Sequence, residues 1–308
     1  MNIIKYSFLT VLIFLVSCTN TKEDIGGSVT LLVSTNVRGQ LDPCGWKKNP
    51  LGGLSRKSTY VKQLNNEGKN VVILDAGDLL FNNSSLVDVQ READILRAKA
   101  VIKGYETIGC DVVNVGGFDM AAGLEYLQQV IDSTNIPFIS ANIIDSRSKQ
   151  KLFPPHHIIE NDNISIGVIG LTNLLPSNTN KVKVEDFITV GKAQIDELRN
   201  KVDIVVVLAN VNKDKNEEMN EEFSDADYIF VSRNTTRTRS GTEQPLKGPF
   251  TYGSNIQGKY LAQIDINLTK VDSPLVDVSN MHTQIDNINK RLERFQNKDP
   301  KKSMEDIY

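Results

Sequence analysis

The chain has 308 residues, which is enough for one large hydrophobic core and allows one or two domains. Its 35 basic and 38 acidic side chains give a formal charge of −3, so the composition argues against a nucleic-acid polymer or another polyanion as partner. The hydrophobic content of 40% is ordinary for a globular protein.

The first 18 residues have the pattern of a secretory segment. Lys5 supplies a positive charge, and residues 8–16 form an apolar stretch too short to span a bilayer. The sequence Leu15-Val16-Ser17-Cys18 resembles the bacterial lipobox, in which the cysteine is acylated. We therefore expect a lipoprotein signal peptide over residues 1–17, with Cys18 lipidated as a membrane anchor. An ordinary signal peptide with an incidental cysteine is the alternative.

These features also predict a location. Residues 18–28 are polar and are interpreted as a tether between the acylated cysteine and the folded domain. We expect the protein in the bacterial cell envelope, held to the outer membrane or the cell surface by its lipid.

From residue 29 onward, apolar strand patterns alternate with helical patterns, which is typical of a layered α/β fold. Residues 204–208 are apolar throughout, as expected for a strand buried on both faces. Predicted strands cover residues 29–34, 71–75, 112–115, 138–140, 164–169, 204–208, 228–231 and 261–268. Predicted helices cover residues 54–65, 87–108, 124–133 and 190–200. The sequence therefore predicts one domain over residues 29–270.

Residues 271–308 are interpreted as a helical C-terminal tail. Within residues 278–298, Ile285, Ile288, Leu292 and Phe295 recur at three- and four-residue spacing, which predicts an amphipathic helix. This helix either packs back on the domain or pairs with a helix of an envelope protein. The last residues, 297–308, have the pattern of a frayed end.

Short landmarks follow the predicted strands, where α/β folds place their active sites. They are Thr35-Asn36-Val37-Arg38-Gly39, Gly52-Gly53-Leu54-Ser55-Arg56, Leu74-Asp75-Ala76-Gly77-Asp78, Gly116-Gly117-Phe118-Asp119, Leu208-Ala209-Asn210 and Ser232-Arg233-Asn234-Thr235. In this order they resemble the metallophosphoesterase domain of the 5′-nucleotidase family, which is calcineurin-like. The resemblance runs from about residue 29 to residue 268 and implies a four-layer α/β/β/α sandwich.

The resemblance also implies where a site should lie. The family holds two metal ions about 4 Å apart between histidine, carboxylate and amide ligands. Its ligand positions fall in this chain on Asn36, Arg38, Asp78, Gly117, Phe118, Asn210, Arg233 and Thr235. Only Asp78 keeps the residue type of the family.

The chemistry of the replacements argues against a two-metal centre. Arg38 and Arg233 have no lone pair to give, and their charge repels a cation. Asn36 and Asn210 offer neutral carbonyl oxygens, so together with Asp78 they are only weak candidate metal ligands.

The remaining replacements remove further groups. Phe118 stands where the resemblance implies a histidine acting as general acid, and Thr235 is a poor ligand. We therefore expect no catalytic residues and no resident cofactor, and a catalytically impaired domain with a binding or scaffolding role. One alternative is an active phosphoesterase or 5′-nucleotidase-type hydrolase with an atypical site for Mn, Zn or Mg, drawing also on Asp75 or Asp119.

Another alternative is a receptor for phosphate, a nucleotide or another anion. Arg38 and Arg233 present planar guanidinium groups, which match the geometry of phosphate and carboxylate. A purely structural interpretation competes with it. Arg38 would then form an ion pair with Asp78 or Asp119, and Asp78 would act as a hydrogen-bond hub.

Histidine and cysteine add little to this picture. His156 and His157 fall in a predicted connecting segment and His282 in the tail, so none is expected at the site. Cys44 lies in Pro43-Cys44-Gly45-Trp46, which resembles a subset of these domains that have Pro-Cys-Gly-Cys and often an arginine where Arg38 stands. Arg38 alone therefore does not exclude activity. A Cys44–Cys110 disulfide is possible after export, although a buried apolar Cys110 is favoured.

The resemblance finally bears on specificity. About forty residues follow the last predicted strand, too few for the separate nucleotide-recognising domain of the family. We therefore do not expect a nucleotide base to be recognised by such a domain here.

Overall fold

The computed structural model of the chain describes residues 26–45, 48–177, 179–246, 248–269 and 274–298. The predicted signal peptide, Cys18, most of the tether, Trp46 and the last ten residues lie outside this part. Within it, no helix has the length and apolar character needed to cross a lipid bilayer.

The described residues contain twelve strands and six α-helices. The strands are β1 (Gly27–Ser34), β2 (Val71–Asp75), β3 (Val112–Asn114), β4 (Phe138–Ile139), β5 (Ile143–Asp145), β6 (His156–Asn161), β7 (Ile164–Thr172), β8 (Val182–Val184), β9 (Ile204–Asn210), β10 (Tyr228–Ser232), β11 (Phe250–Tyr252) and β12 (Ala262–Leu268). The helices are α1 (Leu54–Asn66), α2 (Arg91–Ile108), α3 (Leu124–Asp132), α4 (Phe187–Arg199), α5 (Asn216–Glu222) and α6 (Ser279–Lys298).

Two five-stranded sheets form the centre of the fold. The first has the order β12-β1-β2-β3-β4, and the second has the order β11-β10-β9-β7-β6. Each is parallel except for one antiparallel strand at an edge, β12 in the first sheet and β6 in the second. Strands β5 and β8 pair separately as a small antiparallel ribbon.

The sheets pack face to face with helices outside both of them. One cluster of buried residues joins the inner faces of the two sheets, including Leu31 and Leu74 from the first and Val206 from the second. A second cluster packs α1, α2 and α3 on the outer face of the first sheet. A third packs α4 and α5 on the outer face of the second sheet. The four-layer α/β/β/α sandwich predicted from the resemblance is therefore confirmed.

Strand β9 illustrates why a continuous apolar run belongs at this place. All seven of its residues are buried. Because side chains alternate along a strand, Val206 and Leu208 face the other sheet, whereas Val205 and Val207 face the helices. Both faces of a central strand in such a sandwich are covered, so neither face favours polar side chains.

The structure differs from the prediction at several elements. The predicted helix 190–200 begins earlier, because the Asp186 side chain accepts a hydrogen bond from the backbone N–H of Thr189 (2.8 Å) and starts α4 at Phe187. The predicted helix 87–108 starts as a 3₁₀ turn at Asp88–Gln90 before α2. Elements β5, β6, β8, β11 and α5 were not predicted, and none of them is longer than seven residues.

His156 and His157 require a correction, because they lie on strand β6 and not in a connecting segment. This strand pairs antiparallel with β7 at the edge of the second sheet. Nδ1 of His156 lies 2.7 Å from Oε1 of Gln194 on α4, so this nitrogen is engaged away from the strand-end site.

Candidate functional site

The carboxyl ends of the central strands meet at one edge of the sandwich. Asn36 and Arg38 follow β1, Asp78 follows β2, and Gly117 follows β3. From the second sheet, Asn210 ends β9 and Arg233 follows β10. The backbone N–H of Arg233 donates to Oδ1 of Asn36 (2.6 Å), so residues from the two sheets are in direct contact.

Seven of the eight predicted positions are brought together in this way. Thr235 is the exception. Its side chain is exposed, whereas Asn36, Asp78, Gly117 and Asn210 are buried.

Asp78 is fully buried at the centre of the site. Its Oδ1 accepts a hydrogen bond from the backbone N–H of Phe118 (2.8 Å). Its Oδ2 is also buried and has no hydrogen-bond partner among the described residues. Burial raises the pKa of Asp78, and the positive charges of Arg233 and Arg38 oppose that rise. The carboxylate is thus held by the hydrogen bond from Phe118 and by the attraction of the two arginines.

The amide of Asn36 is used as a structural brace. Its Oδ1 accepts the N–H of Arg233, and its Nδ2 donates to the carbonyl oxygens of Asn234 (3.1 Å) and Asn255 (3.0 Å). These three contacts are with backbone groups of the loops that follow β10 and β11, and Nδ2 also lies 3.4 Å from Oγ1 of Thr35. The oxygen that a metal ion would need is therefore already bound to an N–H group.

Asn210 repeats this arrangement on the next strand. Its Oδ1 accepts the backbone N–H of Gly117 (2.9 Å), and its Nδ2 donates to Oγ of Ser232 (2.7 Å). The Ser232 hydroxyl in turn donates to the carbonyl oxygen of Ala76 (2.7 Å) in the first sheet. The two asparagines thus bind the strand-end loops of the two sheets to each other.

Two guanidinium groups converge on one aromatic ring. The Cζ atoms of Arg38 and Arg233 each lie 5.2 Å from the ring centroid of Phe118, within the range of cation–π attraction. Both arginine side chains are half-buried. Nη1 of Arg233 donates to the carbonyl oxygen of Leu174 (3.3 Å), whereas the buried Nε of Arg38 has no partner among the described residues.

The positive charge of this pair is only partly balanced. Burial lowers the pKa of Arg38, and the charge of Asp78 opposes this shift while that of Arg233 adds to it. The ion pairs found among the described residues include neither arginine. The predicted ion pair of Arg38 with Asp78 or Asp119 is therefore wrong as a direct contact.

Asp119 has another task, which explains why it does not pair with Arg38. Its carboxylate accepts the backbone N–H groups of Leu80 (2.8 Å), Gly116 (2.8 Å) and Asp78 (3.1 Å). Burial raises the pKa of Asp119 to about 8, the charge of Asp78 adds to the rise, and the N–H donors oppose it. Asp119 thus ties the loop after β3 to the loop after β2.

Gly117 makes room for one of the arginines. A methyl group placed on its Cα would lie 2.6 Å from the carbonyl oxygen of Leu174 and 2.9 Å from Nη2 of Arg233. The guanidinium thus occupies the space that a side chain at position 117 would need. The residues at positions 117 and 233 are therefore sterically coupled, because a side chain at one limits the space for the other. This coupling could not be inferred from the sequence at either position alone.

The site backbone is locally strained. Asn36, Arg38, Asp78 and Arg233 have φ angles of 51°, 56°, 56° and 63°. A left-handed conformation is uncommon for residues other than glycine and costs roughly 1–3 kcal/mol for each residue held in it. Such strain persists where the surrounding structure fixes it, and here it is concentrated on the residues that the resemblance marks as ligand positions.

The residues present do not fit a two-metal centre. Among the described residues, no group of three or more histidine, cysteine, aspartate or glutamate side chains is arranged to hold a metal ion. Oδ1 of Asn36 and Oδ1 of Asn210 are bound to N–H groups, and two cationic side chains face the same space. Of the predicted ligands, only Asp78 retains an oxygen without a partner.

Behind the site lies a buried polar cluster that sequence analysis missed, which we call the Asp75 cluster (Asp75, Ser34, Tyr105 and Lys57). Oδ2 of Asp75 accepts the hydroxyls of Ser34 (2.7 Å) and Tyr105 (2.8 Å), and Nζ of Lys57 donates to Oγ of Ser34 (3.1 Å). Nζ of Lys57 also lies 4.1 Å from the centroid of the Tyr105 ring. Burial raises the pKa of Asp75 and lowers that of Lys57. Asp75 is therefore not available to a metal ion at the strand ends.

The two described cysteines are free, so the possible Cys44–Cys110 disulfide is not formed. Sγ of Cys44 lies 3.6 Å from Oε1 of Gln257, whereas the buried Sγ of Cys110 lies 3.5 Å from the carbonyl oxygen of Ile73. The two thiols thus belong to different surroundings, one beside the strand-end loops and one beneath α2.

Two known enzymes share part of this sequence. The 2′,3′-cyclic-nucleotide 2′-phosphodiesterase/3′-nucleotidase of Salmonella typhimurium is 31% identical over 179 residues, which are 51% of this chain and 27% of that protein. The 5′-nucleotidase of Vibrio parahaemolyticus is 29% identical over 171 residues, which are 54% of this chain and 28% of that protein. The chain thus spans only about a quarter of the length of these relatives. No family profile matches the chain.

Solved structures extend the similarity to most of the fold. The NAD nucleotidase of Haemophilus influenzae superposes with a TM-score of 0.67 at 18% identity, over 82% of this chain and 49% of that chain. The calcineurin-like phosphoesterase YfkN of Bacillus subtilis gives a TM-score of 0.66 at 19% identity, over 82% of this chain and 88% of that chain. These similarities confirm the resemblance to 5′-nucleotidases and calcineurin-like phosphoesterases that the sequence landmarks indicated.

Proposed function

Because the chain carries a 5′-nucleotidase-like metallophosphoesterase domain, we propose that this domain has lost its two-metal chemistry and serves as a receptor for a small phosphate-bearing anion. The receptor site consists of Arg38, Arg233 and Phe118 at the strand ends, which we call the arginine site. The protein that carries it is a lipoprotein of the bacterial cell envelope, anchored through Cys18.

The observation that carries the proposal is the convergence of two guanidiniums on the ring of Phe118, each at 5.2 Å from its centroid. Both side chains are half-buried, neither forms an ion pair in the described part of the chain, and Asp78 supplies one negative charge against two positive ones. A partly desolvated site with an excess of positive charge favours an anion over a cation.

The structure of guanidinium narrows the ligand class. Each arginine presents planar N–H donors that match two oxygens of a phosphate. The contact of both guanidiniums with Phe118 restrains them before binding, which lowers the entropy that they lose when they bind an oxyanion. The relatives are named nucleotidases and a cyclic-nucleotide phosphodiesterase, so a nucleoside monophosphate is a natural candidate beside inorganic phosphate.

The loss of hydrolysis follows from what the same residues do. No step through a metal ion is assigned, because the amide oxygens of Asn36 and Asn210 are bound to N–H groups and Phe118 carries no acidic proton. In this proposal Asp78 balances part of the charge of the arginines and orients the loop of Phe118 through its N–H (2.8 Å).

Thermal unfolding with inorganic phosphate and with adenosine monophosphate, in the presence of a chelator, tests this function. We expect a rise in the unfolding midpoint that grows with ligand concentration, equivalent to about 2.7 kcal/mol at a hundredfold excess over the dissociation constant. Arg38→Gln and Arg233→Gln should each abolish the rise. Arg239→Gln, at an exposed position outside the arginine site, is the matched control and should retain it.

The rival activity has a separate readout. Freshly purified protein is analysed for bound metal and assayed with a phosphomonoester and a phosphodiester under added Mn²⁺. Two tightly held metal ions per chain, or turnover that disappears in Asp78→Ala, would overturn the receptor proposal. The anchor is tested by fractionation, in which Cys18→Ala should move the protein from the membrane to the soluble fraction.

A further inference from the structure

Helix α6 exposes a row of apolar side chains, which we call the α6 seam (Val278, Met281, Ile285, Ile288, Leu292 and Phe295). No residue of α6 is buried. Met281, Ile285, Ile288 and Phe295 are 61%, 54%, 48% and 44% exposed, and Val278, just before the helix, is 45% exposed. A contiguous row of this kind on a soluble domain marks a surface that another molecule covers.

The spacing of the α6 seam indicates what kind of partner would cover it. Its residues follow one another at intervals of three, four, three, four and three, so they occupy both core positions of three successive heptads. A stripe confined to these two positions is the narrow contact surface of a coiled coil, whereas a helix that packs on a domain or lies on a membrane has a wider apolar face.

The opposite side of α6 is the side that touches its own domain. A methyl group placed on Gly241 would lie 3.1 Å from Oγ1 of Thr283, so these residues are close neighbours. Ser279 lines a cavity together with Gly241 and Tyr252. Within the heptad, Ser279 and Thr283 lie away from the seam. The domain therefore holds the back of the helix and leaves the seam free.

The residues beside the seam allow a second copy of the same helix. In a parallel in-register pair, Gln284 meets Asn289 of the other copy and Arg291 meets Gln296. Neither pairing places like charges against each other. The acidic residues Asp286 and Glu293 lie farther from the seam, where they do not oppose pairing.

We propose that the α6 seam joins two copies of this chain in a two-stranded coiled coil. The first core position holds Val278, Ile285 and Leu292 and the second holds Met281, Ile288 and Phe295, so apolar side chains fill both core positions in all three heptads. Each arginine site lies on the strand-end edge of its own domain, so pairing gives a bivalent receptor. The dimer does not depend on whether the arginine site binds an anion.

The molar mass of the full chain in solution tests this pairing. The chain carries Cys18→Ala, so that acylation does not cause association, and is measured by sedimentation equilibrium over a range of concentrations. We expect the mass of two chains, and a dissociation constant at least tenfold weaker in Ile285→Lys and in Ile288→Lys. Asn287→Lys adds the same charge at an exposed outer position of the helix, away from the seam, and should leave the dimer intact.

Circular dichroism and the unfolding midpoint establish that each variant keeps its folded domain, which is expected because α6 buries none of its residues. A monomer at the highest soluble concentration would overturn the proposal, as would a mass of three or more chains. A dimer that survives both Ile285→Lys and Ile288→Lys would place the contact elsewhere. A monomer that binds phospholipid vesicles through the seam would identify a membrane as the occupant instead.

Discussion

Two aspartates of one short motif, Asp75 and Asp78, have opposite surroundings. Asp75 is buried with each oxygen bonded, one to the N–H of Gly77 (2.9 Å) and the other to the hydroxyls of Ser34 and Tyr105. Asp78 is equally buried, yet one oxygen has no partner among the described residues and the other accepts a single N–H. The first carboxylate has every oxygen bonded within the fold, whereas the second keeps one oxygen without a partner among the described residues.

The difference separates a buried polar cluster from a half-buried site in the strand-end loops. The Asp75 cluster joins β1, β2, α1 and α2, so a change in one member leaves buried polar groups without partners. The arginine site instead faces the loops, and its members are half-buried. We therefore expect substitution of these side chains to cost little stability, and it is here that guanidiniums and a phenyl ring stand at the positions that the resemblance marks as ligands.

The largest expected effect comes from neutralising each aspartate in turn. Asp75→Asn should lower the free energy of unfolding by about 3 kcal/mol, because it leaves the buried ammonium of Lys57 without its countercharge. Asp78→Asn should change it by no more than about 1 kcal/mol, because the amide still accepts the N–H of Phe118 and the nearby arginines are partly solvated.

Denaturant titration measures both values on the same chain. The two variants are isosteric and remove the same charge, so each is the control for the other. Equal losses of stability would mean that the carboxylate of Asp78 is as much a part of the fold as that of Asp75, and the distinction between the two regions would fail.

The fold and the candidate site were predicted from the sequence only in part. The apolar run of β9 and the order of the landmarks predicted the four-layer sandwich, because burial on both faces and strand-end motifs follow directly from residue type. The seven clustered site positions were also predicted. The short elements β5, β8 and β11 were not, because three residues carry too little periodicity to identify a strand.

The contacts inside the site could not be predicted from the sequence for a different reason, because they depend on tertiary packing. One interpretation paired Arg38 with Asp78 or Asp119, but Asp119 accepts three backbone N–H groups from loops that only the fold brings to it. Lys57 reads as an exposed residue of a polar helix until tertiary packing places it against Tyr105. One signal in the sequence could have suggested the Asp75 cluster. Lys57 on α1 and Asp75 on β2, two successive elements, each lie among apolar positions that face the core.

A smaller effect is expected at the contact between Gly117 and Arg233. Gly117→Ala should cost about 1–3 kcal/mol of stability, because the new methyl group meets the carbonyl oxygen of Leu174 at 2.6 Å and backbone atoms yield little. It should also weaken phosphate binding, since Nη2 of Arg233 must move from a position 2.9 Å away.

Thermal unfolding with and without phosphate gives both values. Gly26→Ala is the control, because a methyl group there has its nearest neighbour at 3.5 Å, an ordinary contact. Unchanged stability and unchanged phosphate affinity in Gly117→Ala would show that the guanidinium is not confined by this glycine.

The smallest expected effect concerns the reactivity of the two thiols. Cys110 is buried, whereas Cys44 lies beside the strand-end loops. Burial raises the pKa of Cys110 to about 12, with the charge of Asp75 adding to the rise and that of Lys57 opposing it. At pH 8 its thiolate fraction is therefore only about 10⁻⁴, and the thiolate is the reactive form. Cys44, beside Gln257 at the strand-end loops, is partly exposed.

Alkylation of the native Cys18→Ala chain should therefore modify Cys44 and leave Cys110 unmodified, whereas both should react in guanidinium chloride. Cys44→Ser should remove the fast reaction, which assigns it to that residue. Mass spectrometry of the digested protein gives the two rates. If Cys110 reacts as fast as Cys44 in the native state, the surroundings of Cys110 open to solvent as readily as those of Cys44, and burial does not distinguish the two thiols.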